Sequence, residues 1–472
     1  MRNALTSRLL LAAGVGLAAM SSSLSTATPV DPEILNRIEP KAVGPELSRK
    51  QLIEMGRVLF SNETFDGNGR TCATCHPVTH NFTIDPAFIA TLPDDDPLFV
   101  AEFNPDLKKL EKPRLLREFG VILENLDGFH RPGVMRSVPH NLGMPMSIKP
   151  DPESPLPGPE GDRVHALGWS GDGSPGTGSL REFTIGAIVQ HLPKTLVREP
   201  DVDFRLPTAQ ELDALEAYMM SVGRRKDVEL AVMTFSDERA ERGKLLFNNE
   251  DEVDDRSCSA CHANAGANNG DGFNNNFDTG TRLLTATAWR GTDAPPDGGL
   301  GADHHDGVRG FGDGTMNTPS LIEAADTAPF FHNNSKATIE EAIAFYASDE
   351  FDAGDRGLFE FTPEDVDAVG ALLRVLNAME DIRSSNAMSE EAQRLQPAAA
   401  KQRILEAIAE TEDAIEVLRD GPLVLHPGLV GQLQHALGAE QEAMKTVSNS
   451  RRSALLREAT QLKKRVSATM VK

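Results

Sequence analysis

The sequence predicts a mainly α protein in which one small helical module is used twice, with long loops, ahead of a helical hairpin. Three observations predict it. Two Cys-x-x-Cys-His pentapeptides, Cys72-Ala73-Thr74-Cys75-His76 and Cys258-Ser259-Ala260-Cys261-His262, use all four cysteines of the 472-residue chain. A Gly-basic-aliphatic-Leu-Phe block stands at nearly the same distance before each pentapeptide, Gly56–Phe60 and Gly243–Phe247. Past residue 387 the composition turns to Ala, Glu and Leu.

The pentapeptide is the spacing that attaches c-type haem: two thiols bond the porphyrin vinyl groups and the adjacent histidine ligates iron. Two disulfides or a four-cysteine zinc site would also use these thiols, but neither explains a histidine directly after both pairs. Two covalently bound haems are therefore expected, on Cys72, Cys75 and His76 and on Cys258, Cys261 and His262.

In chain order, Arg2 and Arg8 precede an apolar run, Leu9 to Met20, and a small-residue stretch ending Ser25-Thr26-Ala27. This is the layout of a signal peptide, 1–27, too short for a comfortable membrane span. With no later run of about 18 apolar residues, no membrane span is expected. A periplasmic location follows, since haem is attached on the oxidising side of a bacterial membrane. The formal charge of −24 argues against nucleic acid as a partner.

Each module then reads alike. Gln51 to Phe60 and Glu238 to Phe247 carry helical periodicity and would pack a helix against a haem edge. Each pentapeptide is followed by a Gly/Asn/Pro-rich segment, a turn at Pro139 or Pro319, and a capped helix. Those helices start at Thr208, with Glu211 three residues on, and at Thr362, with Pro363 in the first turn. Ala214, Leu215, Tyr218 and Met219 would face the first core, and Val366, Val369, Leu372, Leu373 and Leu376 the second. Cytochrome c-like domains at 45–225 and 236–385 follow, joined by Arg224 to Glu238. The extension 388–472 reads as two helices, Met388–Leu418 and Gln432–Val471, separated at Pro422 and Pro427-Gly428. Its basic end would fold back on the acidic body or mediate a homodimer; the sequence leaves both open.

These stretches resemble the bacterial di-haem cytochrome c peroxidase superfamily, which includes the MauG enzyme. The resemblance spans roughly 45–380 and rests on the lead-ins, both haem motifs, Asn317-Thr318-Pro319-Ser320-Leu321, Thr327-Ala328-Pro329-Phe330-Phe331-His332 and Thr338 to Tyr346. It implies a first haem that reacts with hydrogen peroxide and a second that relays electrons. The donor implied is a small cytochrome c or copper protein; in the MauG-like branch a protein side chain is oxidised instead. Tyr346 falls where the peroxidase branch has methionine and the MauG-like branch tyrosine, so it becomes the second axial ligand, with Met316 as rival. Trp169 matches a tryptophan between the haems, while Trp289 has no match. Asn141, with the carbonyls of Thr327 and Pro329, matches a calcium site.

Departures bear on the first haem. The region Asp85 to Pro93 lacks the histidine that blocks iron in many members, so an open iron is expected, and His80 reads as a loop residue. The family's distal glutamine and glutamate fall at Phe183 and near Pro193. Proton transfer between peroxide oxygens needs a base, and His191, with Gln190 and Glu182 behind it, is the replacement. A non-enzymatic electron carrier or redox sensor, closed by His80, His130, His140 or His191, is the competing reading, and an oxygenase is a third. The Asn268–Asp278 run reads as a solvated loop, with a second ion as alternative.

Overall fold

The computed structural model describes residues 46–126, 128–131, 133–147, 179–249, 257–281, 315–352, 359–419 and 425–472, with a few isolated positions between them. The leader 1–27, Trp169 and Trp289 lie outside the described residues.

The chain is mainly helical. Helix α1, Arg49–Asn62, opens with a capping box in which Ser48 and Gln51 satisfy each other's backbone N–H groups. Short helical turns then lead to an antiparallel ribbon of β1, Val121–Glu124, and β2, Val134–Ser137, with Val121 opposite Ser137. Next come α2, Leu180–His191, and α3, Ala209–Met219, the latter started by the expected Thr208–Glu211 box. Phe60, Phe65, Phe82, Ile188, Leu215 and Tyr218 close one core around these elements.

The second module repeats the plan. Helix α4, Glu238–Asn248, is capped by Asp237. A two-residue ribbon pairs β3, Asn276–Phe277, with β4, Met316–Asn317. Helix α5, Ile339–Ala344, follows Thr338, and α6, Pro363–Ala392, begins with the Thr362–Asp365 box. The two lead-in helices meet their partners at matching points. A Cβ at Gly56 would lie 1.9 Å from the Ala214 carbonyl oxygen, and one at Gly243 would lie 2.0 Å from that of Ala368. Ala214 and Ala368 stand at the same offset from their caps, Thr208 and Thr362. Only glycine permits backbones this close, so the Gly-basic-aliphatic-Leu-Phe repeat is a helix-crossing device. Phe60 and Phe247, four residues on, are both buried. Val369, Leu372, Leu373 and Leu376 are buried as expected, and Val366 is half-buried.

The extension departs from the expected hairpin. Helix α6 runs through residues 385–388, where a domain boundary was read, and three helices follow: α7, Pro397–Val417, α8, Pro427–Lys445, and α9, Asn449–Met470. The expected second helix is broken at Thr446–Ser448, where Ser448 caps α9. Helices α6 to α9 pack in sequence, with α9 closing on α6. Ile415, Leu433 and Val466 share one core with Phe247, Val369 and Leu376, so the bundle continues the second module. The C-terminus turns back onto the body: Ser236 N–H donates to Met470 O (2.8 Å) and Lys472 N–H to Thr234 O (2.8 Å). No helix among the described residues is long and apolar enough to cross a membrane.

The modules touch through backbone acceptors. Ser137 N–H donates to His332 O (2.8 Å), Asn334 Nδ2 to Phe119 O (2.9 Å), and Asn268 Nδ2 to Met146 O (2.6 Å). That last contact corrects one expectation. The Asn268–Asp278 run is a packed segment: Asn268 and Asn274 are buried, and Asn274 Nδ2 also donates to Thr318 O (2.8 Å).

Candidate active site

Both pentapeptides fold into the same turn. His76 N–H donates to Cys72 O and His262 N–H to Cys258 O, each at 2.9 Å. This brings two cysteines and a histidine onto one short arc. All four cysteines are free thiols, half-buried, in two separate pairs. Burial pushes Cys72 and Cys258 up to about 12 and Cys75 to about 11, so the thiols stay protonated at neutral pH.

The histidines are oriented as iron ligands require. His76 Nδ1 lies 2.7 Å from Phe82 O, and His262 Nδ1 lies 3.2 Å from Gly266 O. A carbonyl oxygen can only accept, so each Nδ1 carries the proton and each Nε2 keeps its lone pair. Pro319, the turn residue singled out in sequence, supplies His262 with a second carbonyl. Burial lowers both imidazoles to about 4, against the opposing pull of those carbonyls, so both are neutral donors at pH 7. Two thiols and a neutral Nε2 at each turn, with Phe60 at 6.3 Å from the His76 ring at the first, would fit a c-type haem.

What surrounds the two turns differs. Around His76 the chain gathers ionisable groups. His140 and His191 both lie close enough to His76 for the imidazoles to repel each other's charge, and burial lowers them to about 4 and about 3. His140 Nδ1 accepts from Leu142 N–H at 3.2 Å, which places its proton on Nε2. His191 has no hydrogen bond at Nδ1, and the nearest acidic oxygen to that atom is Glu111 Oε1 at 3.9 Å. Glu111 is buried and paired with buried Arg70 at 3.0 Å.

Glu111 and Arg70 were not legible as site residues, since they lie far apart in sequence with no motif around them. The only local signal was Arg70's place two residues before Cys72. Glu182 and Gln190, expected behind His191, are elsewhere. Glu182 sits at the start of α2, nine residues and about 13 Å along the helix from His191. Gln190 is buried and donates to Leu123 O at 3.0 Å, bolting α2 to the ribbon. His80 Nε2 faces Asp85 Oδ2 at 2.6 Å and its ring stacks on Phe88, so that nitrogen and that face are already engaged. His130 is exposed.

Around His262 the chain gathers aromatic rings. Tyr346 lies on the turn Phe345–Ala347 that prolongs α5, with Phe351, Phe345 and Phe359 at 5.0, 5.6 and 6.1 Å. It is close enough to Cys258 and Cys261 for their charges to act on it, after burial the next causes that raise its phenol above the ordinary value. Met316, the rival ligand, is half-buried on β4.

The residues expected at a calcium site are placed as follows. Asn141 is buried after β2, Thr327 Oγ1 donates to Glu323 O (3.1 Å) and Ala324 O (3.2 Å), and Ala328–Pro329 is cis. Among the described residues no hydrogen bond joins Asn141 to either residue, and no group of three or more His, Cys, Asp or Glu side chains has metal-holding geometry.

No family model matches the chain, and no curated protein matches it. Among solved structures, it is similar to a chain of hydrazine synthase from Kuenenia stuttgartiensis, at 15% identity and a TM-score of 0.37, over 78% of this chain and 99% of that one.

Proposed function

We propose that the chain is a periplasmic di-haem oxidoreductase of the cytochrome c peroxidase/MauG type, reducing hydrogen peroxide at the His76 site with electrons relayed from the His262 site. The observation that carries this reading is the matched pair of Cys-x-x-Cys-His turns, each with histidine Nδ1 donating to a backbone carbonyl. Cys72, Cys75 and His76 would hold the first haem, and Cys258, Cys261, His262 and Tyr346 the second. When bound, the haems supply redox-active iron, open to peroxide at the first site and electron-storing at the second.

The chain's own residues do the rest. His191, neutral and shielded, takes a proton at Nε2 from the near peroxide oxygen and returns it to the far one. His140, with its proton on Nε2, would offer a hydrogen-bond donor near His76. Tyr346, set among phenylalanines, presents a hard oxygen that favours oxidised iron. Trp169 is proposed to shorten the electron path between the sites, and Asn141 with the Thr327 and Pro329 carbonyls to bind calcium at the module interface. The reducing partner is a small cytochrome c or copper protein, or a protein side chain as in the MauG-like branch.

Low-temperature EPR of the oxidised, calcium-loaded holoprotein tests this. A high-spin signal that vanishes with stoichiometric peroxide is expected, beside a low-spin signal that changes in Tyr346→Phe. Two low-spin signals indifferent to peroxide would sink the reading and leave an electron carrier, with His191 or His140, both near His76, closing the first iron.

A further inference from the structure

The closest acidic group to His191 comes from a part of the chain with no motif. Glu111 is 2% exposed and Arg70 is 1% exposed. Arg70 is held on every side: Nη1 donates to Glu111 Oε1 (3.0 Å), Nε to Pro97 O (3.1 Å) and Nη2 to Leu98 O (2.6 Å). The second carboxylate oxygen of Glu111 accepts from Leu123 N–H at 2.9 Å. A buried carboxylate with this many donors is fixed in place, and breaking such a pair from one side is costly.

His191 is fixed from the backbone by the same elements. Asn68, two residues before Arg70, donates from Nδ2 to His191 O (2.9 Å) and Pro193 O (3.1 Å), and its N–H donates to Leu192 O (2.8 Å). Gln190 ties the same end of α2 to Leu123, whose N–H already serves Glu111. The lead-in to the first haem motif, the ribbon and the end of α2 thus form one closed ring of hydrogen bonds. Beside it, His191 Nδ1 lies 3.9 Å from Glu111 Oε1 and has no hydrogen bond among the described residues. That separation is longer than a hydrogen bond, and catalytic hydrogen bonds that are long in an empty site tighten when it is filled.

We propose that Glu111, clamped by Arg70, is a positioning residue that keeps the His191 proton on Nδ1 and so leaves Nε2 as the acceptor edge at the His76 site. A carboxylate accepts a hydrogen bond and cannot donate one, so the imidazole facing it must present N–H there. The inference rests on the His76 haem being the open, peroxide-binding one.

Hydrogen cyanide binding to the oxidised holoprotein separates the two ideas, because it needs an open iron and a base that takes its proton but no turnover. Wild type, Glu111→Gln, His191→Gln and the double variant are compared by stopped flow. Cyanide association is expected to slow about 10- to 100-fold in Glu111→Gln, with the double variant no slower than His191→Gln alone. In ¹⁵N spectra of the diamagnetic reduced, carbon monoxide-bound protein, the His191 proton is expected on Nδ1 and to leave it in Glu111→Gln. Should Glu111→Gln fail to fold, Arg70→Met/Glu111→Leu removes both buried charges together and is read in the same way. A wild type that does not take cyanide overturns the peroxide-site reading and the inference with it. A wild type that takes cyanide at a rate unchanged in Glu111→Gln, or losses that multiply in the double variant, overturns the inference alone.

Discussion

The two modules share a frame and differ in what they hold against it. The frame is the Gly56–Ala214 and Gly243–Ala368 crossings, buried Phe60 and Phe247, and the pentapeptide turns with their Nδ1–H to carbonyl bonds. Against it, the first module sets Arg70, Glu111, His140 and His191, groups that hold and move protons. The second sets Phe331, Phe345, Tyr346, Phe351 and Phe359, which exclude water and exchange no proton readily. Attachment needs only the frame, while reactivity is set by the lining. On the proposed function, a duplicated cofactor module would thus divide into one site suited to proton-coupled chemistry and one suited to holding charge.

The largest expected effect breaks the comparison at its root. Cys72→Ser/Cys75→Ser and Cys258→Ser/Cys261→Ser are each expected to lose one covalently bound haem by intact mass. The peroxide-sensitive high-spin signal is expected to disappear only in the first. An unchanged haem count in either variant would overturn covalent attachment at that turn, and loss of the signal only in the second variant would reverse the assignment of roles.

A smaller effect sharpens the claim that the frames are equivalent. Gly56→Ala and Gly243→Ala each push a methyl into a backbone carbonyl and are expected to destabilise by about 3 kcal/mol. The two losses should be alike, read as denaturant midpoints with unchanged slope. A silent Gly243→Ala beside a damaging Gly56→Ala would mean that the second crossing is loose and the repeat only a resemblance of sequence.

The frame was legible because it is local. Cys72 to His76, the Thr208 and Thr362 caps and the Gly-basic-aliphatic-Leu-Phe blocks each state their geometry within a few residues. The lining was legible only in part. Tyr346 and His191 were read through a resemblance, and the structure sets each near its own motif. Glu111 was missed and Glu182 named instead, because a buried ion pair between residues 41 apart leaves no periodic trace. The bundle was misread for a related reason. A run rich in Ala, Glu and Leu marks helix without marking Thr446–Ser448 as a break, and α6 carries its pattern past residue 388 with no turn signal.

The smallest effect concerns an asymmetry of the frame. The bundle shares its core with the second module, and there carboxyl groups gather out of water: buried Glu323 and half-buried Asp326 before the Thr327–His332 segment, buried Asp381 on α6, half-buried Glu410 and Asp413 on α7. Asn377 Nδ2 donates to both Asp326 and Asp381 at 2.9 Å, and Asn81 of the first module donates to Asp326 O at 3.2 Å. Neighbouring Glu380 has Arg224 and Arg383 as partners, at 2.9 and 2.5 Å. Burial raises all five carboxyls, Asp326 to about 7, and their mutual repulsion raises Asp381, Glu410 and Asp413 further. Groups raised in the folded state bind more protons there than when unfolded. Their contribution to stability is therefore complete below the ordinary carboxylate range, about pH 4, and lost as pH rises, for Asp326 through about 7. Asp381→Asn keeps the shape and removes one of these ionisations. It is expected to stabilise by on the order of 1 kcal/mol at pH 8 and to do little at pH 4.5, read from urea midpoints. Asp213→Asn on α3, at a partly exposed site paired with Arg181, is the comparison in the first module. Equal curves for the two variants would mean that the bundle side of the second module carries no excess of buried acid, and that the modules differ in their linings alone.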